Sequence, residues 1–274
     1  MKYMEDVICI RFLQNVLPQL HMRWQGFRRV RKQVCKRIQR RIDELELSDA
    51  HAYRQYLQIH TEEWLKLDYL CRVTVSRFYR DKVVLEHVRT EVLPELARAA
   101  INADETTLRG WSAGCAMGEE AYSLVLIWYM TAGINFPQLA IQVTGCDIDE
   151  VLLQRARRGC YSYGSVKALP ETWLNSVFTH NENEYCLASE LRNKADFVNQ
   201  DIREKSIKGP FHIVFCRNMA FTYFDIGLQL EMLQHIRDKL VDGGALIIGG
   251  HESLPEGFRG FEQWSKQRAI FRKR

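Results

Sequence analysis

The chain has 274 residues, a formal net charge of +4, and 46% apolar and 26% charged residues. This is the composition of a globular protein with a full-sized core, and it excludes disordered and collagen-like chains. The longest apolar run, 121–130, is too short to cross a bilayer, and MKYMEDVI puts acidic residues where a signal peptide needs a basic flank, so a cytoplasmic protein without membrane insertion is expected.

Charge is uneven along the chain. Residues 1–100 hold 19 lysines and arginines against 13 acidic residues, and residues 101–274 hold 19 against 21. From 7 to about 81 the apolar spacing is helical: Ile10, Leu13, Val16, Leu17 and Leu20 mark a first helix, and 52–59 and 64–69 mark later ones. Between them stand Arg23, Arg28, Arg29, Arg31, Lys32, Lys36, Arg37, Arg40 and Arg41, opposed only by Asp43 and Glu44. Trp24, Phe27, Val30, Val34, Ile38, Ile42 and Leu45 recur every three or four residues in the same stretch. They form one apolar stripe on a basic helix. Such cations could merely solvate the helix. Their density favours docking to an acidic protein, and the aromatics lie on the stripe rather than among the cations, which argues against nucleic acid.

A further helix is expected at 83–100, kinked at Pro94. Beyond it short apolar runs at 108–113, 141–146, 211–216 and 245–249 alternate with helical stretches, the pattern of a doubly wound, mainly parallel α/β sheet. The segment at about 159–198 breaks the alternation; its short β-leaning pieces, 185–188 and 195–198, predict a small antiparallel excursion. The expected domains are therefore 1–82, all helical, and 83–274. The eight cysteines include no CxxC pair, and several lie in apolar runs, so neither disulfides nor a zinc site is expected.

Parallel sheets bind ligands at the carboxyl ends of their strands. The first strand leads into WSAGCAMGEEAYSL, where Gly114 and Gly118 bracket a tight turn before a helix and let a ligand approach bare backbone. The pattern is neither GxGxxG nor GxxxxGK[ST], which removes the main support for nicotinamide and triphosphate ligands. The second strand ends at Asp147, a position suited to the two hydroxyls of a ribose, with Asp149 as a helix cap. A nucleoside cofactor without a triphosphate motif points to S-adenosylmethionine.

Five ordered blocks then carry a resemblance: TVSRFYRD, WSAGCAMGEEAYSL, TGCDIDEVLLQRARRGCYS, FHIVFCRNMAFTYFD and GGALIIGGHESL. The chain resembles the CheR family of protein-glutamate O-methyltransferases of bacterial chemotaxis over nearly its whole length. The resemblance implies an S-adenosylmethionine-dependent methyltransferase sheet preceded by an all-α domain whose basic helix docks on a chemoreceptor. It implies that Ser76, Arg80, Gly114, Glu120, Asp147, Asp201, Ile202, Arg217 and Asn218 bind the cofactor, with Glu119 hard to separate from Glu120 by pattern. It also implies that Arg80 and Tyr223 are catalytic, that glutamate carboxylates of the acidic receptor accept the methyl group, and that S-adenosylhomocysteine is released. In CRNMAFTYF one residue more precedes Tyr223 than in the family block. A methyltransferase of the same fold acting on a small molecule or another protein is the alternative, and a non-catalytic S-adenosylmethionine-binding regulator is a third reading, against which the presence of Arg80 and Tyr223 speaks. A glutamate is already ionised at neutral pH, so the reaction asks for no base and no metal, and His251 is read as structural.

Overall fold

The computed structural model describes residues 4–204, 206–265 and 268–274. Contacts divide the chain into two compact units: Met1–Thr74 with Thr222–Gln229, and Val75–Phe221 with Leu230–Arg274. No sequence pattern had marked Thr222–Gln229 as a part of the front unit.

In the first unit, helices Asp6–Val16, Arg31–Glu44, Ala50–Ile59 and Glu63–Cys71 pack around one apolar cluster. The predicted stripe is buried: Phe27, Val34, Ile38 and Ile42 are each 0% exposed, with Trp24, Val30 and Leu45 packed at its margin. The basic helix is broken, however, into Trp24–Phe27 and Arg31–Glu44. Asp49 caps Ala50–Ile59 by accepting the Ala52 amide at 2.8 Å. The returning segment is tied in by backbone: the Arg23 amide donates to Tyr223 O and the Asp225 amide to His21 O, both at 2.8 Å, around a Met22–Phe224 bridge.

The second unit opens with Lys82–His87, a π-helical turn at Val88–Val92 and helix Leu93–Asn102. The expected kink at Pro94 takes this form because proline lacks the amide that would continue the ladder. A seven-stranded sheet follows, from β1 (Thr107–Ala113), β2 (Ala140–Asp147), β6 (Ala195–Asn199), β7 (Phe211–Phe215), β8 (Leu240–Ile247), β9 (Phe261–Gln263) and β10 (Ile270–Lys273). Its order is β6-β2-β1-β7-β8-β10-β9, parallel through β8, with β10 and β9 antiparallel. The order runs one way from β1 to β6 and the other way from β7, so the switch point lies between β1 and β7.

Two expectations are corrected here. The stretch at 195–198 is not part of the antiparallel excursion: Ala195–Asn199 pairs parallel with β2 and forms the sheet edge. The excursion consists of β3 (Cys160–Tyr161), β4 (Phe178–Asn181) and β5 (Glu184–Leu187), in the order β3-β5-β4. The cysteines are also not all reduced, since Cys9–Cys35 and Cys160–Cys186 are disulfides while Cys71, Cys115, Cys146 and Cys216 are buried thiols. Each pair is 26 residues apart, so no local spacing could announce it.

Candidate active site

The exits of β1, β2 and β7 meet around the loop at 114–118. Gly114 and Cys115 both donate their amides to Cys146 O at 2.9 Å, which draws the loop over the end of β2. Gly114 and Gly118 have φ of +72° and +85°, the left-handed region that glycine enters without steric cost. A Cβ at Gly114 would lie 2.9 Å from Met219 Cε, and one at Gly118 2.9 Å from both Phe197 and Ala156. What these glycines admit is therefore this chain's own side chains, not only a ligand.

Asp147 braces the same loop: Oδ2 accepts the Ala116 amide at 2.9 Å and Oδ1 the Asp149 amide at 3.0 Å. Asp149 caps helix Glu150–Arg158 through the amides of Val151 and Leu152, as expected.

At the β1–β7 switch point, Ser112 and Arg217 converge on Glu120. Ser112 Oγ donates to one Glu120 oxygen at 2.8 Å, and Arg217 Nη1 to the other at 3.1 Å. Arg217 Nη2 reaches Asp81 Oδ2 at 2.8 Å and Arg80 O at 2.7 Å. The Arg217 side chain is 3% exposed, yet its Nε has no hydrogen-bond partner among the described residues, and an unmatched buried donor costs about 1–3 kcal/mol. Burial raises the pKa of Glu120 against the opposing pull of Arg217 and Ser112. Burial also pushes Asp81 upward, but Arg217, by charge and hydrogen bond, together with the Gly250 amide, carries it below the ordinary carboxylate value. The two neighbouring glutamates are thereby separated: Glu120 faces the switch point, whereas Glu119 is 0% exposed and accepts from Ser165 Oγ at 2.8 Å.

Arg80 sits between two residues of positive φ, Tyr79 at 54° and Asp81 at 59°. Such backbone persists only where its surroundings hold it. Here Phe78 donates its amide to Ser165 O at 3.0 Å and Tyr79 its amide to Ser123 Oγ at 3.1 Å. Arg80 Nη1 donates to Val75 O at 2.6 Å. Ser76, half-buried, makes no hydrogen bond within the described residues.

The remaining predicted residues are more dispersed. Asp201 is engaged by Arg203, whose Nε contacts both carboxylate oxygens at 3.0 and 2.9 Å and whose amide adds a bond at 2.9 Å; Ile202 is buried. Asn218 has φ of 55° and donates its amide to Glu252 Oε2 at 2.8 Å. Tyr223 belongs to the helical unit, its ring 5.0 Å from Phe27 in an edge-on contact. Sequence reasoning missed Asp81, Ser112 and Glu252. Asp81 and Glu252 lay inside the quoted blocks TVSRFYRD and GGHESL; Glu252, which joins the ends of β7 and β8 by accepting the amides of Asn218 and Gly249, was overshadowed by its neighbour His251.

The chain is similar to known proteins over most of its length. Residues 74–270 match the family model described as CheR methyltransferase, SAM binding domain. The chain is 30% identical to chemotaxis protein methyltransferase 2 of Vibrio cholerae, over 81% of this chain and 77% of that one. It is 28% identical to the chemotaxis protein methyltransferase of Escherichia coli, over 82% of this chain and 77% of the relative. A match over most of the chain makes this protein an S-adenosylmethionine-dependent methyltransferase of the CheR family.

Proposed function

We propose that the protein methylates glutamate side-chain carboxylates of an acidic protein acceptor, the cytoplasmic domain of a chemoreceptor, and releases S-adenosylhomocysteine. The observation that carries the acceptor class is the exposed face of the helical unit. Of the nine cations, Arg31 pairs with Asp6, Arg41 with Glu63, Arg37 donates to Leu70 O, and Arg23 donates to Thr222 O. Arg28, Arg29, Lys32, Lys36 and Arg40 are exposed, and their side chains make no hydrogen bond or ion pair among the described residues. Lys32, Lys36 and Arg40 recur at steps of four on helix Arg31–Glu44 and share one face, opposite the buried stripe, while Arg28 and Arg29 lie in the turn before it. A small substrate has no use for such a face; an acidic helical protein does. The names of the relatives support the same reading, in which the enzyme acts in the cytoplasm; no described helix is long and apolar enough to cross a membrane.

The residues present fit the cofactor. The orphan Nε of Arg217 offers a donor to an acceptor group, and Glu120 and Asp147 offer carboxylates to the ammonium and ribose hydroxyls. In this reading Ser76, Arg80, Gly114, Glu120, Asp147, Asp201, Ile202, Arg217 and Asn218 hold it, Asp201 acting through the turn that it forms with Arg203. When bound, the cofactor supplies an electrophilic methyl group on a sulfonium. The chain's own task is alignment and exclusion of water, since a glutamate nucleophile needs no deprotonation at neutral pH. Arg80 has donors beyond the one used on Val75 O and would hold the acceptor carboxylate two-pronged, with Tyr223 orienting one oxygen. No nucleic acid and no metal enters this reading.

Incubation with methyl-labelled cofactor and a receptor cytoplasmic fragment, followed by alkali, tests it. Carboxyl esters release their label as methanol. Label that survives alkali, or that enters only small molecules of a lysate, would overturn the acceptor assignment.

A further inference from the structure

The Cys160–Cys186 bond lies outside the site described above, and methyl transfer does not use it. It joins β3 to β5 directly across the small sheet, where Cys160 and Cys186 are register partners. Side chains alternate along a strand, so Glu184 shares the face of the bond while Tyr161 and Tyr185 lie on the other. Both of these cysteines are half-exposed, whereas Cys9 and Cys35 are 2% and 4% exposed in the helical core. Exchange requires an attacking thiolate to reach a sulfur, and access alone sets the two bonds apart.

The charges around the bond also differ from those of a structural disulfide in an apolar core. A Glu184 oxygen lies within 4.8 Å of both sulfurs and by itself would disfavour a thiolate there. Glu184 is paired with Arg158, however, and Arg192 donates to Arg158 O at 2.9 Å while lying against Gly159. Arg158 thus offsets the Glu184 charge, and the Arg192 guanidinium on the Arg158 carbonyl adds positive charge near Cys160 that favours the approach of an anionic thiol.

The residue after Cys160 reaches the active-site loop. Tyr161 is 4% exposed and donates its hydroxyl to Met117 O at 2.8 Å, within the 114–118 loop. Its ring also meets Phe78 edge-on at 4.8 Å, two residues before Arg80. β3 is only two residues long, so its place depends on few partners, of which the Cys160–Cys186 bond is the covalent one.

We infer that Cys160–Cys186 is an exchange site for a small anionic thiol of the glutathione class, and that opening it loosens the 114–118 loop through Tyr161. A first glutathione thiolate attacks one sulfur; the Cys–Cys bond breaks as the mixed disulfide forms, and the departing cysteine thiolate takes up a proton. A second glutathione thiolate attacks the mixed disulfide and leaves as glutathione disulfide, freeing the other cysteine, which is protonated in turn. Two electrons and two protons pass from the two glutathione thiols to the protein bond. The exchange stands on its own, while its effect on cofactor binding rests on the reading of 114–118 as the cofactor loop.

The full chain, equilibrated with reduced glutathione under native conditions and quenched by alkylation, is mapped by peptide mass. Alkylation is expected at Cys160 and Cys186, with Cys9–Cys35 intact. Hydrogen exchange of the peptide spanning 114–118, measured without cofactor, becomes faster, and calorimetry gives a several-fold weaker affinity for S-adenosylhomocysteine. Cys186→Ser, or Cys160→Ser in its place, shows the reduced values with or without glutathione. A bond that resists glutathione overturns the exchange site, and an opened bond with unchanged loop exchange overturns the coupling. Faster loop exchange with unchanged affinity overturns the assignment of the loop to the cofactor and supports the exchange site.

Discussion

In the helical unit Glu63 takes two nitrogens of Arg41 at 2.9 and 2.8 Å and the Tyr53 hydroxyl at 2.8 Å; at the sheet's switch point Glu120 shares Arg217 with Asp81. Both carboxylates are removed from water beside an arginine, yet they are shifted in opposite directions. The bonds from Arg41 outweigh burial and hold Glu63 below the usual carboxylate range, whereas burial outweighs the divided Arg217 and holds Glu120 above it. One cluster satisfies its members from within the fold. The other leaves the Arg217 Nε without a partner among the described residues, which is costly in a structural network and useful where a ligand is to arrive. A buried ion pair is thus no evidence for either role until its hydrogen bonds have been counted.

The largest effect that follows is on folding. Glu63→Ala leaves Arg41 and Tyr53 without their acceptor and should cost about 3 kcal/mol, read as the loss of denaturant midpoint. Glu120→Gln should cost less stability than that and lose S-adenosylhomocysteine affinity instead; calorimetry and denaturation giving the reverse order would dissolve the contrast. Next comes Arg80→Ala, expected to lower kcat about a hundredfold with a smaller change in cofactor affinity, because misalignment of the acceptor appears in the rate. Equal losses in both would place Arg80 on the cofactor alone. Asp147→Ala should weaken S-adenosylhomocysteine by about 1–3 kcal/mol through the lost charged acceptor and the loop that it braces, and unchanged binding would remove the ribose role.

Acid should separate Glu63 from Glu120 by sign, with Asp81 on the side of Glu63 although it shares Arg217 with Glu120. Glu63 and Asp81 have depressed folded-state values, so each contributes stability that is present above the unfolded carboxylate value and is lost as pH falls through the folded one. Glu120 is raised, so its contribution is present below the unfolded value and is lost as pH rises through the folded one. The gap in melting temperature between the parent and Glu63→Gln should therefore narrow on acidification, while the parent gains relative to Glu120→Gln. Parallel curves for the two variants would contradict the assigned directions. The smallest effect belongs to the exposed cations. Reversal of Arg28, Lys32 and Lys36 to glutamate should raise KM for the protein acceptor several-fold, with cofactor binding unchanged and added salt imitating the loss, since such charges act on encounter over about 8 Å at physiological salt. Arg31 and Arg37 are the wrong choices for that experiment, because both hold the helical unit together.

The basic helix shows what was legible and what was not. Its stripe followed from spacing alone, because burial of one face imposes a period. Which cations remain unpaired did not follow: Arg40 and Arg41 are neighbours in sequence, and only Arg41 meets Glu63, 22 residues away. The same limit operates at the site. Asp147, Glu120 and Arg217 lie at strand exits, where topology predicts ligands, and could be named from the blocks. Asp81 gave no signal of its own because its role depends on Arg217, 136 residues further on. Residues 195–198 misled for a related reason: a short edge strand has the same composition whether it pairs parallel or antiparallel, and only the partner, β2, decides.

The visit that Thr222–Gln229 pays to the helical unit has a consequence for anyone building chimaeras. Phe224 is 5% exposed and the backbone of Tyr223 and Asp225 is bonded to that of Arg23 and His21, so these eight residues belong to whichever front unit they were selected with. A graft that exchanges 1–74 alone would mate a foreign bundle with the old insert. Recombination between relatives should succeed when the two segments travel as a pair, which makes the heritable module discontinuous in the gene though continuous in space.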